Sequence, residues 1–236
     1  MTAKHTLVET KSKVADLVFE HPSLILMLEH FEIEGNVGDM TVLEVCAKRG
    51  LNVKVFTTFG NLFIGSGNLG KQVFRSEEIA DIISYLRNCH KYYRSEKYPE
   101  ILQYIQAIHA VCPTPEIKLL EGFFNEYFRE VAQHLEYEEA IAFPYFEGLI
   151  QGRLKPDHSF SATQYHHHHT DIEEKLEDLK SLLIKHVYIS NQQGLRRKLL
   201  ISLFELETDL RIHSLIEEKM LVPSIAKIEK ERLYVE

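Results

Sequence analysis

The chain has 236 residues, 44% of them hydrophobic, so it can bury a full core in one large domain or two smaller ones. The formal net charge is −8, and no run of lysine and arginine stands clear of acidic neighbours, which argues against a nucleic-acid partner. The first residues are polar and nowhere do 18 apolar residues follow one another, so we expect neither a secretory signal nor a membrane span and predict a cytoplasmic protein.

Histidine and cysteine usage narrows the kinds of site that the chain can build. Cys46, Cys89 and Cys112 form a sparse, odd set without C-x-x-C spacing, so we predict buried thiols rather than disulfides or a thiolate metal cage. The 13 histidines are more informative, because imidazole is the commonest metal-binding side chain in proteins.

The first part of the chain, residues 1–64, is predicted to be a small helical N-terminal domain. Thr41 and Glu44 form a capping-box pattern that opens a short helix to Lys48, Gly50 ends that helix, and Asn52 can cap the last one. The glycine cluster from residue 65 to residue 70 predicts a linker over residues 65–76.

The remaining residues, 77–236, show long segments of helical period and almost no strand signal. Thr114 before Pro115 predicts a helix start, and that helix is expected to run to about Leu149. Four long helices with short connections predict an all-α protein, an antiparallel up-down four-helix bundle preceded by the small N-terminal domain.

Two segments, residues 134–144 and 213–223, share the pattern H-x3-E-E-x4-P. Residues four apart lie on one face of a helix, so each segment can present a histidine and a glutamate together: His134 with Glu138, and His213 with Glu217. The spacing H-x3-E is common by itself, but both copies also lie on an apolar stripe. Around the first copy this stripe comprises Phe124, Tyr127, Val131 and Ile141. A metal site explains the pair better than two coincidental ion pairs.

Two further histidines are predicted to complete this site. His90 lies on the apolar stripe of the first long helix, where a lone core histidine is the alternative interpretation. On the third helix, periodicity fits His168 and His169 almost equally, and the Glu173–Glu174 pair that follows His169 in the register of the two arms favours His169. Such a set suits iron, manganese or zinc rather than calcium or magnesium, and it leaves metal positions open for dioxygen or nitric oxide.

Over residues 77–228 these motifs resemble the hemerythrin-like, HHE cation-binding family. The resemblance implies an antiparallel four-helix bundle with two iron ions, joined by an oxo or hydroxo bridge. The implied metal ligands are His90, His134, Glu138, His169, His213 and Glu217. His109 lies near a second histidine position of some relatives, and we predict a structural or supporting role for it.

The N-terminal residues 31–52 resemble the short domain that precedes this bundle in repair of iron centres proteins. One feature departs from that pattern, because a cysteine pair of the relatives is replaced here by Asn36 and Val37. The resemblance implies a role in iron-sulfur cluster repair or in the response to nitric oxide and oxidative stress, with damaged iron-sulfur proteins as partners. We also hypothesise a homodimer formed through the N-terminal domain, whose core is thin.

Two other functions remain open at this stage. The first alternative is reversible dioxygen or nitric oxide binding, or redox sensing without turnover, so the sequence does not decide whether the protein is an enzyme. The second is a metal-free helical interaction protein in which the histidines are structural.

Overall fold

The computed structural model describes residues 7–33, 36–66, 70–155, 161, 170–187, 189 and 192–233, the backbone alone being described at residues 170, 171 and 233. Within these ranges the regular structure is helical, apart from one isolated bridge between Lys13 and Thr41. The α-helices are α1 (Val14–Glu20), α2 (Leu24–His30), α3 (Val42–Arg49), α4 (Val53–Phe63), α5 (Ser76–Tyr92), α6 (Tyr98–Val111), α7 (Pro115–Tyr137), α8 (Phe143–Ile150), α9 (Thr170–Lys185), α10 (Gln193–Ile216) and α11 (Val222–Leu233). Three π-helical segments join some of them: π1 (Tyr93–Lys97), π2 (Glu138–Ala142) and π3 (Glu217–Leu221).

An all-helical fold is confirmed for the described residues, and no described helix is both long and apolar enough to cross a bilayer. The antiparallel topology of the four-helix bundle and the domain boundary at residues 65–76 stay predictions.

The predicted helix ends follow their capping residues closely. The Thr41 hydroxyl accepts a hydrogen bond from the Glu44 backbone, and the Glu44 carboxylate accepts one from the Thr41 N–H at 2.7 Å. Gly50 ends α3 with a φ of 69°, a left-handed conformation that glycine adopts without strain. The Asn52 and Thr114 side chains cap α4 and α7 as predicted. These ends were predictable because each depends on a few neighbouring residues.

Each π segment ends two residues before a proline, namely Pro99, Pro144 or Pro223. Proline has no N–H to donate, and its ring collides with the carbonyl four residues earlier, so the ladder must widen locally. A π turn is one way to insert the extra residue without breaking the helix. The predicted single helix from Pro115 to about Leu149 is therefore divided into α7, π2 and α8.

By their internal contacts the residues form two compact units, each with its own core. The first comprises Met1–Cys89, Phe146–Ala162 and Leu215–Glu236, and the second comprises His90–Tyr145 and Thr163–Ser214.

In the first unit, α4 packs against α2 and α3, and α1 packs against α2. A cluster of aromatic rings fills this core: the Phe31 ring lies 5.2 Å from Phe56 and 4.7 Å from Tyr85, and Tyr85 lies 4.7 Å from Phe59 between ring centroids. Cys46 and Cys89 are buried, as predicted, and Cys112 is partly exposed. Burial, helped by the nearby Asp81, raises the pKa of the Cys46 thiol to about 11, which makes this thiol unreactive near neutral pH.

In the second unit, α7 packs against both α6 and α9. The Tyr98 ring stacks on Phe128 at 4.4 Å between centroids, and the Tyr98 hydroxyl donates to the Tyr127 hydroxyl at 3.5 Å. Both tyrosines are almost completely buried, and burial raises their pKa values well above the ordinary range. These residues form an apolar, aromatic part of the core of this unit.

A buried ammonium group lies near this interior. Lys97 is only 4% exposed, and its Nζ donates to Glu100 at 2.8 Å and to Glu205 at 2.9 Å. Burial lowers the pKa of Lys97, but the two hydrogen bonds outweigh burial and leave the pKa raised. For the carboxyl group of Glu100 the effects have the opposite sign. Burial raises its pKa, but the hydrogen bond from Lys97 outweighs burial, so the pKa of Glu100 is lowered.

We expect the double variant Glu100→Gln/Glu205→Gln to lower the free energy of unfolding at pH 7 by about 2 kcal/mol. It leaves the buried Lys97 charge unpaired, but the two carboxylates are 39% and 47% exposed, so water already screens part of the interaction. The stabilisation should be complete between roughly pH 4.3 and pH 10.4, the ordinary pKa values of the two groups. It should fade as pH falls through the lowered pKa of Glu100 or rises through the raised pKa of Lys97. Urea unfolding at pH 3 and pH 7 measures this difference.

Glu126→Gln is the matched control, because the Glu126–Arg129 pair is about two-thirds exposed on both sides and such pairs contribute little. An equal loss of stability in the double variant at both pH values would contradict the prediction.

Candidate metal centre

Four of the six predicted ligands lie together in the second unit: His90 on α5, His134 on α7, Glu138 at the start of π2 and His213 on α10. Glu217 begins π3, four residues after His213, and is fully buried. His169 and its alternative, His168, lie outside the described residues. The assignment of all six as ligands therefore stays a prediction, although the grouping of four is described directly.

The Glu138 carboxylate is fully buried and lies between two imidazoles. Nε2 of His134 lies 2.9 Å from Glu138 Oε1, and Nε2 of His90 lies 3.2 Å from Glu138 Oε2. The Nε2 atoms of His90 and His213 are 3.1 Å apart. Potential ligand atoms of His90, Glu138 and His213 all lie within 4.8 Å of one another, so one cation could contact all three.

The hydrogen bond made by Nδ1 of His90 determines the tautomer of its imidazole ring. Nδ1 of His90 donates to Glu139 Oε1 at 2.9 Å, so in a neutral ring Nε2 carries the lone pair. That lone pair would then face the Glu138 carboxylate. Either a proton on Nε2 or a bound cation must relieve the repulsion, and a carboxylate behind the ring is the usual support of a metal-binding histidine.

Electrostatics keep Glu138 anionic in spite of its position. Burial alone raises the pKa of this carboxyl, because charge is unfavourable away from water. Hydrogen bonds from His134 and His90 outweigh burial and hold the pKa well below its usual range. Near neutral pH the site therefore offers a negative charge beside three imidazoles.

Aromatic side chains surround the histidines. The Phe143 ring stacks on His90 at 5.4 Å between centroids with an interplanar angle of 16°, and the Tyr93 ring meets His213 edge-on at 5.9 Å. Beside His134 and His213 lies a small cavity of about 20 Å³, whose other lining residues are Val131, Leu135, Ile172, Glu173, Leu210 and Ser214. A cavity of this size holds about one water molecule or a ligand of similar size.

The sequence did not predict the contacts of three residues in this group, Glu139, Phe143 and Tyr93, and it predicted the wrong burial for Ile141. Glu139 was noticed as the second glutamate of the motif, but its bond to His90 was not foreseen. Ile141 was predicted on the core stripe and is 47% exposed, whereas Ala142 is fully buried. The extra residue of the π2 turn rotates the following side chains, which explains the shift from Ile141 to Ala142.

His109 is separate from this group. Its Nδ1 donates to Glu121 Oε2 at 3.0 Å, and its side chain is 33% exposed. This partly exposed ion pair agrees with the structural or supporting role that was predicted for His109.

Comparison with known proteins identifies the family. The family described as hemerythrin HHE cation binding domain matches residues 81–225, which is more than half of the chain and includes every predicted ligand. No curated protein matched the chain closely. The paired His-x3-Glu arms, their buried grouping and the extent of the match lead to one conclusion: the chain belongs to the hemerythrin HHE cation-binding domain family.

Proposed function

We propose that the protein binds two iron ions through His90, His134, Glu138, His169, His213 and Glu217. We further propose that it acts in the cytoplasm, in iron-sulfur cluster repair or in the response to nitric oxide and oxidative stress. The family match and the buried histidine–glutamate grouping support the metal site. The likeness of residues 31–52 to the leader domain of repair of iron centres proteins supports the stress role.

One observation carries the metal proposal, and it is the placement of His90. Its Nδ1 is bonded to Glu139, while its Nε2 lies 3.2 Å from one carboxylate oxygen of Glu138 and 3.1 Å from Nε2 of His213. These groups can share a cation more favourably than they can face one another without one. Imidazole and carboxylate together suit iron, and the family's cation site is in keeping with that choice.

The side chains around the ligands would prepare the site for its chemistry. Glu139 fixes the tautomer of His90, and the Phe143 ring covers that imidazole on one face. The low exposure of His90 and Glu138 keeps bulk water away. When bound, the iron pair would supply one-electron chemistry and open positions for dioxygen or nitric oxide.

Metal analysis of protein purified without added metal tests the first half of the proposal. We expect about two iron ions per chain, as in other carboxylate-bridged centres of helical bundles. Iron-loaded protein should then restore activity to a nitric-oxide-damaged iron-sulfur enzyme or consume nitric oxide, and apoprotein should do neither. Absence of iron after anaerobic reconstitution would refute the metal site, whereas bound iron with neither activity would refute only the stress role.

A second candidate function is reversible binding of dioxygen or nitric oxide, or redox sensing without turnover. The small cavity beside His134 and His213 favours it, because the cavity suits a diatomic molecule. Asn36 and Val37 also favour it, since they replace the cysteine pair of the leader domain. A dioxygen adduct that forms and dissociates repeatedly, with the iron returning to the ferrous state, would support this candidate over cluster repair.

A further inference from the structure

The three π segments place one residue of each in an equivalent position. Tyr93, Glu138 and Glu217 each begin a π segment and each stand six residues before its proline. All three are fully buried, with exposed fractions of 0%. Two of these positions, Glu138 and Glu217, hold the carboxylates of the proposed metal centre. The equivalent position of Tyr93 raises the question whether its side chain is also a metal ligand.

The surroundings of Tyr93 place it with the proposed ligands of the second unit. It follows His90 by three residues, which puts the two on neighbouring positions of one helix face. Its ring centroid lies 5.9 Å from that of His213, at an interplanar angle of 62°. Tyr93 is therefore within the group of side chains around His90 and His213, and not in the separate cluster of Tyr98, Phe124 and Tyr127.

We propose that Tyr93 is a further ligand, whose phenolate oxygen binds one of the two iron ions. The proposal rests on the proposed function, because it requires an iron centre at these residues. On binding, the O–H bond of the phenol breaks, an oxygen–iron bond forms, and the proton passes to solvent. No electron is transferred in this step.

Charge and coordination both favour a ligand of this type. Four histidines and two glutamates cannot fill the positions of two octahedral metals. Two glutamates and the proposed oxo or hydroxo bridge contribute at most four negative charges, against the six positive charges of two ferric ions. Two ferric ions in a buried site need more compensation than that, because charge left unbalanced away from water is costly. Phenolate is an anionic oxygen ligand that iron accepts in proteins, and Tyr93 would add one negative charge at a buried position.

Optical and resonance Raman spectroscopy of the ferric protein test the proposal without any activity assay. The wild type should show a phenolate-to-iron charge-transfer band in the visible region, and excitation in that band should enhance tyrosinate ring modes. Tyr93→Phe should lose the band and the ring modes while retaining most of its iron. Tyr98→Phe is the matched control, because Tyr98 is equally buried in the same unit and its hydroxyl bonds to Tyr127; it should keep both signals.

The possible failures are distinguishable. A wild type that binds no iron would refute the metal site and this inference together. A wild type that binds iron but shows no tyrosinate modes, or a Tyr93→Phe variant that retains them, would overturn this inference alone. If Tyr93→Phe binds no iron, the remaining proteins decide the question. Tyrosinate modes in the wild type that persist in Tyr92→Phe and Tyr98→Phe support the assignment to Tyr93. Loss of these modes in either variant, or their absence from the wild type, overturns it.

Discussion

Replacing His213 with alanine is expected to abolish stable iron binding. Nε2 of His213 lies 3.1 Å from Nε2 of His90, and His213 belongs with His90 and Glu138 to one buried group whose ligand atoms could hold a cation. Loss of a supporting residue alone costs about 10- to 100-fold in metal affinity, so loss of a ligand should cost at least about 100-fold. His134→Ala should behave in the same way, because its Nε2 lies 2.9 Å from the shared Glu138.

The measurement is iron content per chain after anaerobic reconstitution and desalting, followed by titration of the apoprotein with ferrous iron. His109→Ala is the control, since that histidine is paired with Glu121 and belongs to no described group of candidate ligands. It should bind iron as the wild type does. Equal loss of iron in all three variants would mean that histidine removal unfolds the protein, and circular dichroism would show this. Full iron content in His213→Ala would contradict the proposed centre.

The predictable part of this fold is the part that local chemistry controls. Helix ends at Thr41, Asn52 and Thr114 depend on side chains that bond to backbone groups two or three residues away. The paired arms were also predictable, because His-x3-Glu on an apolar stripe is visible in a single helix. His90 could be proposed from its place on an apolar stripe together with the two arms elsewhere in the chain, and the structure brings it to Glu138 and His213.

The remainder depends on contacts that no single segment reveals. In the sequence, Pro99 was interpreted as an interruption of a helix, and Pro144 and Pro223 as parts of a motif. The π turn before each proline was not foreseen, and for this reason the exposure of Ile141 was not predicted. Glu139 could be recognised as part of the repeated E-E pair, yet its role required knowing that α5 brings His90 to it. A signal for Tyr93 did exist, since it stands six residues before Pro99 as the two glutamates do before their prolines.

The packing around His90 leads to a second large expected effect, on stability rather than on metal binding. Phe143 is fully buried, and its ring stacks on the His90 imidazole at 5.4 Å. We expect Phe143→Ala to lower the free energy of unfolding of the apoprotein by about 3–5 kcal/mol, because it removes a large buried side chain and leaves a cavity. Urea unfolding of metal-free protein measures this loss without interference from iron.

Phe19→Ala is the matched control, because the Phe19 side chain is 85% exposed and its removal should change stability by less than about 0.5 kcal/mol. Equal stability of the Phe143 and Phe19 variants would contradict the packing described here. Phe143→Leu separates packing from ring stacking: leucine fills part of the volume, so most of the stability should return, but it cannot stack on His90. If iron affinity stays low in Phe143→Leu after stability has recovered, the aromatic ring itself positions the imidazole, and the core and the metal centre depend on the same residue.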